Sequence, residues 1–267
     1  MPGKIQGVMM DPGSPSVNIT FLLDTSGSMI GERINQLNAA MIDAVQIAED
    51  SAMALETQLF MRVVQFSTNA SWYMGDKESG LPHIDWKSLS ASGGTDTAAA
   101  IGLARSIMNT SCLGYNNYQP VVILITDGGS NDPEATKKAA EDLKHCLKNS
   151  AGQDRIMCVA IGVKGAVRSE LEAFATVGTI KYSDTDIREN VPYVFEIQNI
   201  DQIRNLLVNV TKSTIASSVH NAQTASNPDI KKGNELILTP DQNGTTWADD
   251  GLVGNIPSEI PDKALRD

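Results

Sequence analysis

The sequence has few of the residues that build soft-metal sites or disulfide frameworks. Of its 267 residues, only three are cysteine and three are histidine. The cysteines, Cys112, Cys146 and Cys158, form an odd, widely spaced set without a C-x-x-C pair. Neither a disulfide framework nor a zinc site is therefore indicated. We expect free, mostly buried thiols, and the apolar run around Cys158 favours its burial.

Long apolar runs and an excess of positive charge are also missing. No run approaches transmembrane length, and residues 1–13 contain no apolar stretch long enough for a signal peptide, so we expect a cytoplasmic protein without a membrane partner. The formal charge is −11, from 32 acidic and 21 basic residues, which argues against binding to nucleic acids or anionic membranes. A hydrophobic fraction of 41% is ordinary for a soluble globular protein and allows one large domain with a substantial core.

Familiar catalytic motifs are absent as well. The sequence contains no G-x-S-x-G elbow, no P-loop and no G-x-G-x-x-G fingerprint. The histidines, His83, His145 and His220, are scattered, and none lies beside a candidate nucleophile in the sequence. Surface or capping roles are favoured for them, and no enzymatic activity is expected.

Apolar periodicity alternates between strand and helix along most of the chain. The predicted strands cover residues 17–23, 59–66, 121–125, 156–163 and 180–182. The predicted helices cover about residues 31–53, 101–108, 131–147, 169–177 and 200–217. This alternation predicts an α/β fold with a doubly wound, mostly parallel open sheet and helices on both faces. Residues 70–74 follow a strand closely enough to form a hairpin, which makes them the one antiparallel edge strand. We expect Trp86 and Leu89 to pin the loop of residues 75–94 to the body of the domain.

Composition divides the chain into three parts. We expect an N-terminal arm over residues 1–15, one domain over residues 16–219 and an irregular tail over residues 220–267. The tail is rich in Asn, Asp, Pro and Gly, and only residues 236–238 suggest a strand. It either packs along the domain or becomes ordered with a partner. Trp247 is predicted to pin the tail to its own domain, and a docking anchor is the alternative.

The most informative motif is the D-x-S-x-S string that follows the first apolar run. At the end of a buried strand, it presents the carboxylate of Asp24 and the hydroxyls of Ser26 and Ser28. A set of oxygen donors without a soft ligand suits Mg²⁺ or Mn²⁺ and not Zn²⁺. The alternative is structural, because a serine at this position can simply cap the following helix.

Two further strand-end positions supply partners for this motif. Thr95 lies in a glycine-rich segment directly before a helix, and Asp127 closes the strand of residues 121–125. Loops at the carboxyl ends of parallel strands converge on one crevice, so three loops can share one ion. A plain turn is the alternative for Asp127. Asp96 has two possible roles. It could contact the metal ligands without binding the metal itself, or it could be an acidic residue at a helix N-terminus, where the helix dipole favours negative charge.

With these residues assembled, the sequence resembles the von Willebrand factor A (VWA) family. The metal-ion-dependent adhesion site of that family has the pattern D-x-S-x-S, then T, then D, and five residues match it: Asp24, Ser26, Ser28, Thr95 and Asp127. The resemblance covers about residues 16–219 and implies a Rossmann-like fold. It also implies that the three hydroxyls bind Mg²⁺, with Mn²⁺ or Ca²⁺ as alternatives, whereas the two aspartates act through water or as orienting partners. A water on the metal would then exchange for an Asp or Glu side chain of a protein partner.

Within the family, residues 89–95 and 211–213 look most like the bacterial intracellular branch associated with tellurite resistance and stress-response operons. That branch implies metal-dependent protein binding in a cytoplasmic signalling or defence assembly, beside kinases, phosphatases or ATPases. Some of its members carry a cysteine-rich zinc-binding C-terminus, and this sequence has no such cysteines. The alternatives are a Mg²⁺-dependent phosphohydrolase and a metal-free scaffold. Phosphoaspartyl enzymes use D-x-D, whereas the third position here is Ser26.

Overall fold

The computed structural model describes residues 16–108, 118–148, 152–182, 185–198, 202–225 and 235–237, without the side chains of residues 221–225. The predicted N-terminal arm, Cys112 and Trp247 lie outside the described residues. The strands are β1 (Ser16–Asp24), β2 (Gln58–Phe66), β3 (Ala70–Met74), β4 (Val121–Thr126), β5 (Met157–Val163), β6 (Val177–Lys181), β7 (Ile187–Pro192), β8 (Val194–Ile197) and β9 (Glu235–Ile237). The helices are α1 (Glu32–Ala54), α2 (Thr97–Ile107), α3 (Pro133–His145), α4 (Arg168–Phe174) and α5 (Ile203–Ala225), with a 3₁₀ turn at Gly27–Met29.

A six-stranded sheet forms the centre of the fold, in the order β3-β2-β1-β4-β5-β8. All neighbouring strands are parallel except β3, which runs antiparallel to β2 at one edge. Every residue of β1 is buried, as expected for a central parallel strand covered on both faces, and residues 21–23 form a continuous apolar run before Asp24. The predicted α/β class, with one antiparallel edge strand, is confirmed.

The helices pack in two groups, as a doubly wound sheet requires. One group pairs α1 with α5, and the other joins α2 to α3 and α3 to α4. The spacing of Ile34, Leu37, Met41 and Val45 places these four side chains on the buried face of α1. None of the helices that the structure describes is long and apolar enough to cross a membrane.

A second, three-stranded sheet corrects the prediction for the end of the domain. Its order is β7-β6-β9. The sequence predicts residues 180–182 as the last strand of the main sheet, but residues 180–181 end β6, Tyr182 follows that strand, and β8 completes the main sheet instead. The strand β8 is only four residues long and follows Pro192, so its apolar pattern is too short to be recognised. The helix predicted over residues 169–177 ends at Phe174, because the chain is extended at Ala175 and then enters β6.

Part of the predicted tail packs on the domain, through the end of α5 and through β9. Helix α5 continues to Ala225, beyond its predicted end at residue 217 and beyond the predicted boundary at residue 219. The strand predicted at residues 236–238 is β9, which pairs in parallel with β6 and buries Leu236 completely. The backbone N–H of Ile237 donates to Ser217 Oγ at 2.9 Å, so β9 also holds α5.

The structure agrees with the predicted roles of the cysteines and histidines that it describes. Cys146 is half-buried and Cys158 is buried, and both are free thiols. Burial raises the pKa of Cys158 to about 12, so this thiol is inert rather than reactive. The three histidines lie at the surface, each beside a carboxylate.

Candidate metal site

Two residues of the predicted site, Asp24 and Asp127, lie at the carboxyl ends of the neighbouring central strands β1 and β4. Strands β1 and β4 are parallel and paired, with Leu23 opposite Ile125. Strand β1 ends at Asp24, and Asp127 directly follows the last residue of β4. The carboxyl ends of parallel strands lie at the same edge of a sheet, so the topology brings these two carboxylates together.

Four polar side chains from the two loops are joined by hydrogen bonds, and we call Asp24, Ser26, Ser28 and Asp127 the edge cluster. Ser28 Oγ donates to Asp127 Oδ1 at 2.6 Å. Ser26 Oγ lies 2.9 Å from Ser28 Oγ, and since the one hydroxyl proton of Ser28 goes to Asp127, Ser26 is the donor in this pair. The backbone N–H of Ser26 donates to Asp24 Oδ1 at 2.8 Å. The 3₁₀ turn at Gly27–Met29 places both serines on the side of Asp127.

Asp24 is held on both of its carboxylate oxygens. Its Oδ2 accepts a hydrogen bond from Thr126 Oγ1 at 2.7 Å, while Oδ1 accepts from Ser26 N. The residue is fully buried. Burial raises the pKa of Asp24, the hydrogen bonds from Ser26 and Thr126 oppose that shift, and the nearby charge of Asp127 adds to it. Asp24 is therefore placed to supply charge and orient the loop, with its oxygens already bonded. Sequence reasoning missed Thr126, whose only signal is a polar residue closing an apolar strand.

The glycine-rich loop that carries Thr95 is tied to the β1 loop by backbone hydrogen bonds. Gly27 N donates to Gly93 O at 2.9 Å, and Ser92 N donates to Thr25 O at 2.7 Å. Gly93 has a φ of +82°, and a Cβ there would lie 2.5 Å from Thr68 Oγ1, so both conformation and space require glycine. The motif's glycine thus lets the two loops run side by side.

Thr95 itself is fixed by its backbone and has an unused hydroxyl. Its carbonyl accepts from Asn131 N at 2.9 Å, which ties it to the loop after β4, and its side chain is nearly buried. Within the described residues, the Thr95 hydroxyl makes no hydrogen bond. Asp96, next in the chain, caps α2 by accepting from Ala99 N at 2.9 Å, so the capping alternative describes it.

Asn38 on α1 holds the long loop that leads to Thr95, and sequence reasoning missed it. Asn38 Nδ2 donates to Leu89 O at 3.0 Å, and Asn38 Oδ1 accepts from Leu89 N at 2.7 Å and from Trp86 Nε1 at 3.2 Å. Asn38 and Leu89 are buried. The predicted anchoring of the loop by Trp86 and Leu89 is therefore confirmed, and Asn38 is the partner that makes it possible.

We expect Asn38→Ala to loosen this loop without removing any residue of the site. Loss of the side chain leaves buried backbone groups of the loop without partners, at a cost of about 1–3 kcal/mol for each unsatisfied group. Urea unfolding should therefore show a lower free energy of unfolding than in wild type. Asn35→Ala, on the exposed side of the same helix, is the matched control and should have almost no effect. Equal stability of the two variants would contradict the anchoring role.

Arg33 is a third residue, after Thr126 and Asn38, that sequence reasoning missed. It lies in the first turn of α1, and its guanidinium forms an ion pair with Asp127 Oδ2. The Asp127 side chain is completely buried, whereas a third of the Arg33 side chain is exposed. The guanidinium of Arg33 is thus a cation that already contacts the Asp127 carboxylate of the edge cluster.

The donor chemistry of this region fits a hard cation. The edge cluster and Thr95 offer two carboxylates and three hydroxyls, and oxygen donors of this kind suit Mg²⁺, Mn²⁺ or Ca²⁺. In the part of the chain that the structure describes, no three or more His, Cys, Asp or Glu side chains are grouped so that they could hold a metal ion. The hydroxyl-rich edge is therefore distinct from the usual carboxylate or histidine cluster.

Comparison with known proteins agrees with the fold. Proximal thread matrix protein 1 from the mussel byssus, in a structure with a zinc-occupied MIDAS motif, is 21% identical, with a TM-score of 0.52 over 75% of this chain and 46% of that one. A von Willebrand factor type A protein from Catenulispora acidiphila is 20% identical, with a TM-score of 0.52 over 76% of this chain and 43% of that one. At these identities the likeness shows the fold alone.

This chain spans less than half the length of those two solved structures. No curated protein matched its sequence. The family model of the von Willebrand factor type A domain matches residues 18–207, well over half of the sequence. This chain therefore belongs to the von Willebrand factor type A domain family.

Proposed function

We propose that this protein is a divalent-metal-dependent protein-binding module, with its metal site at Asp24, Ser26, Ser28, Thr95 and Asp127. The observation that carries the proposal is the hydroxyl chain of the edge cluster. Ser26 Oγ lies 2.9 Å from Ser28 Oγ, which donates to Asp127 Oδ1 at 2.6 Å. Two hydroxyls and a buried carboxylate from different loops thus share one point, which is the arrangement a small hard cation needs.

The proposed ion is Mg²⁺, with Mn²⁺ or Ca²⁺ as alternatives. The hydroxyls of Ser26, Ser28 and Thr95 would hold it, and the unused hydroxyl of Thr95 supports this assignment. Asp24 would act by charge and orientation, because both of its oxygens already accept hydrogen bonds. When bound, the ion supplies an electrophilic centre with an exchangeable position. The zinc in the mussel protein's MIDAS motif supports a divalent ion at this edge of the fold, while the oxygen donors favour a harder metal here.

The proposed partner is a protein that contributes an Asp or Glu side chain to the metal. The chain carries a formal charge of −11, so its overall field repels acidic surfaces. A divalent ion at the sheet edge would cancel the charge of the two carboxylates and offer an exchangeable coordination position at which an acidic side chain can dock. Recognition of an acid by such an acidic protein therefore depends on the metal.

We further propose that the protein is not an enzyme. Phosphoaspartyl hydrolysis needs a second carboxylate as general acid two residues after the first, and this position is Ser26. The serine donates into the edge cluster and is not placed as a proton carrier. Mg²⁺-dependent phosphate release that disappears in Asp24→Asn would contradict this proposal and favour the hydrolase alternative.

The wider setting is proposed from the resemblance of residues 89–95 and 211–213 alone. It is a bacterial cytoplasmic signalling, stress-response or tellurite-resistance assembly, with a kinase, phosphatase or ATPase as partner. The proposed domain comprises residues 16–219, with the remaining C-terminal residues as an appendage. No nucleic acid or membrane partner is proposed, because the charge of the chain disfavours both.

Thr95→Ala tests the metal-dependent capture of a partner. A pull-down from the native cytoplasm, with Mg²⁺ or with EDTA, would first identify the partner. We then expect calorimetry to show tight binding only for wild type with Mg²⁺, because the variant lacks a ligand hydroxyl while keeping the apolar core. Thr179→Ala in the small sheet is the matched control and should bind as wild type does. Equal partner affinity of wild type and Thr95→Ala, in both Mg²⁺ and EDTA, would place the partner elsewhere.

A further inference from the structure

The two oxygens of the Asp127 carboxylate have different partners. Ser28 donates its hydroxyl to Oδ1, and Arg33 places Nη1 against Oδ2. The same Nη1 lies 3.4 Å from the carbonyl oxygen of Ser28. The buried negative charge at the centre of the edge cluster is thus balanced by a cation from the chain itself.

The Arg33 side chain is less firmly fixed by its surroundings than the Asp127 side chain. Within the described residues, the guanidinium bonds only Asp127 and the Ser28 carbonyl, and both contacts use Nη1. A guanidinium has five N–H donors, so most of them face no acceptor in the part of the chain that the structure describes. A third of the side chain is exposed, and the long aliphatic stem allows the charged end to move into solvent. Asp127, by contrast, cannot leave the interior.

A divalent ion and the Arg33 guanidinium would compete for one buried carboxylate. An ion beside the Ser26 and Ser28 hydroxyls adds two positive charges next to Asp127. The guanidinium would then face a like charge at a few ångströms, an interaction that is unfavourable when solvent is largely excluded. The cation with the weaker hold is the one that leaves.

Resting on the proposed metal site, we propose that Arg33 is a tethered cation that occupies Asp127 until a divalent ion displaces it. Arg33 thereby sets the metal affinity of the site. It stabilises the metal-free protein by pairing a charge that would otherwise be buried alone. Every metal ion that binds must first break this pair, so the pair lowers the apparent affinity.

The test compares Mg²⁺ binding by wild type and Arg33→Gln, using calorimetry on the full chain. Arg105→Gln is the matched control, because Arg105 also forms one ion pair, with Asp142 at 3.4 Å, but on the exposed surface between α2 and α3. We expect Arg33→Gln to bind Mg²⁺ roughly three- to tenfold more tightly, as loss of a competing ion pair implies. Its melting temperature in EDTA should be lower than that of wild type. Arg105→Gln should bind Mg²⁺ with wild-type affinity.

A second readout follows the guanidinium directly. The Nε–H signal of Arg33 in a ¹⁵N NMR spectrum is identified by its absence in Arg33→Gln. Addition of Mg²⁺ should shift this signal strongly and leave the Nε–H signal of Arg105 unchanged. A strong shift together with tighter binding by Arg33→Gln supports the exchange of cations.

Three results would overturn the inference. Equal or weaker Mg²⁺ binding by Arg33→Gln would make Arg33 a structural residue or a helper of metal binding, and the metal site would stand. An Arg33 Nε–H signal that does not shift at saturating Mg²⁺ would show that the ion does not displace the guanidinium, although the metal site itself would stand. If neither wild type nor Arg33→Gln binds Mg²⁺, both the proposed metal site and the role of Arg33 are wrong.

Discussion

Asp24→Asn is expected to abolish the stabilisation of this protein by Mg²⁺ while leaving the metal-free protein folded. In wild type, a ligand at a hundredfold excess over its dissociation constant adds about 2.7 kcal/mol to the free energy of unfolding. The substitution removes one of the two negative charges that attract the ion. It also removes a buried carboxylate whose charged form is disfavoured, because burial is the largest of the effects that raise the pKa of Asp24. The metal-free variant should therefore melt at or above the wild-type temperature in EDTA.

Thermal unfolding with and without Mg²⁺ measures this effect. Asp132→Asn is the matched control, because Asp132 is exposed and caps α3 by accepting from Ala135 N at 2.9 Å. Asparagine caps a helix about as well as aspartate does, so this variant should keep both its stability and its response to Mg²⁺. An undiminished Mg²⁺ response in Asp24→Asn would show that the ion, if it binds, binds elsewhere.

Gly165→Ala is expected to destabilise the fold and to displace Asp127. Gly165 lies in the loop between β5 and α4 with a φ of +110°, and a Cβ at this position would lie 2.6 Å from the backbone oxygen of Asp127. The backbone conformation alone costs a non-glycine residue about 1–3 kcal/mol. Overpacking against a rigid neighbour adds about 1–3 kcal/mol more. Because the crowded atom belongs to Asp127, Mg²⁺ binding should weaken as well.

Gly152→Ala separates the two contributions. Gly152 has a φ of +76°, but nothing lies within 4 Å of a Cβ built there. Urea unfolding should show a loss of about 1–3 kcal/mol for Gly152→Ala, from the backbone conformation alone, and a larger loss for Gly165→Ala, to which overpacking contributes as well. Calorimetry should show normal Mg²⁺ binding only for Gly152→Ala. If the two variants lost the same stability and both bound Mg²⁺ normally, the close approach of Gly165 to Asp127 would have no consequence.

Five strands of the central sheet, all but β8, and the strand-end motifs could be predicted because their signals are local. Strand β1 is buried along its whole length, its second half contains the apolar run of residues 21–23, and the D-x-S-x-S string begins at its last residue. The proline at the start of α3 and the capping Asp132 mark the beginning of that helix in the same way. Parallel pairing then brings Asp24 and Asp127 to one edge without further information.

The residues that support the edge cluster could not be predicted, because their partners are distant in sequence. Arg33 and Asp127 are 94 residues apart, and Thr126 and Asp24 are 102 apart. Asn38 reads as one more polar residue on an amphipathic helix until Leu89, 51 residues later, is seen against it. The small sheet was missed for a related reason. Strands β6, β7 and β9 are short and partly exposed, so their patterns are weak, and their pairing spans the whole of α5.

One divalent ion is proposed to bind among Ser26, Ser28, Thr95, Asp24 and Asp127. Anomalous diffraction from crystals grown with MnCl₂, recorded at the manganese absorption edge, would locate this ion. We expect a single strong peak at bonding distance from the hydroxyl oxygens of Ser26 and Ser28 and facing Thr95. An occupied manganese site elsewhere, or no peak at this edge of the sheet under saturating metal, would contradict it.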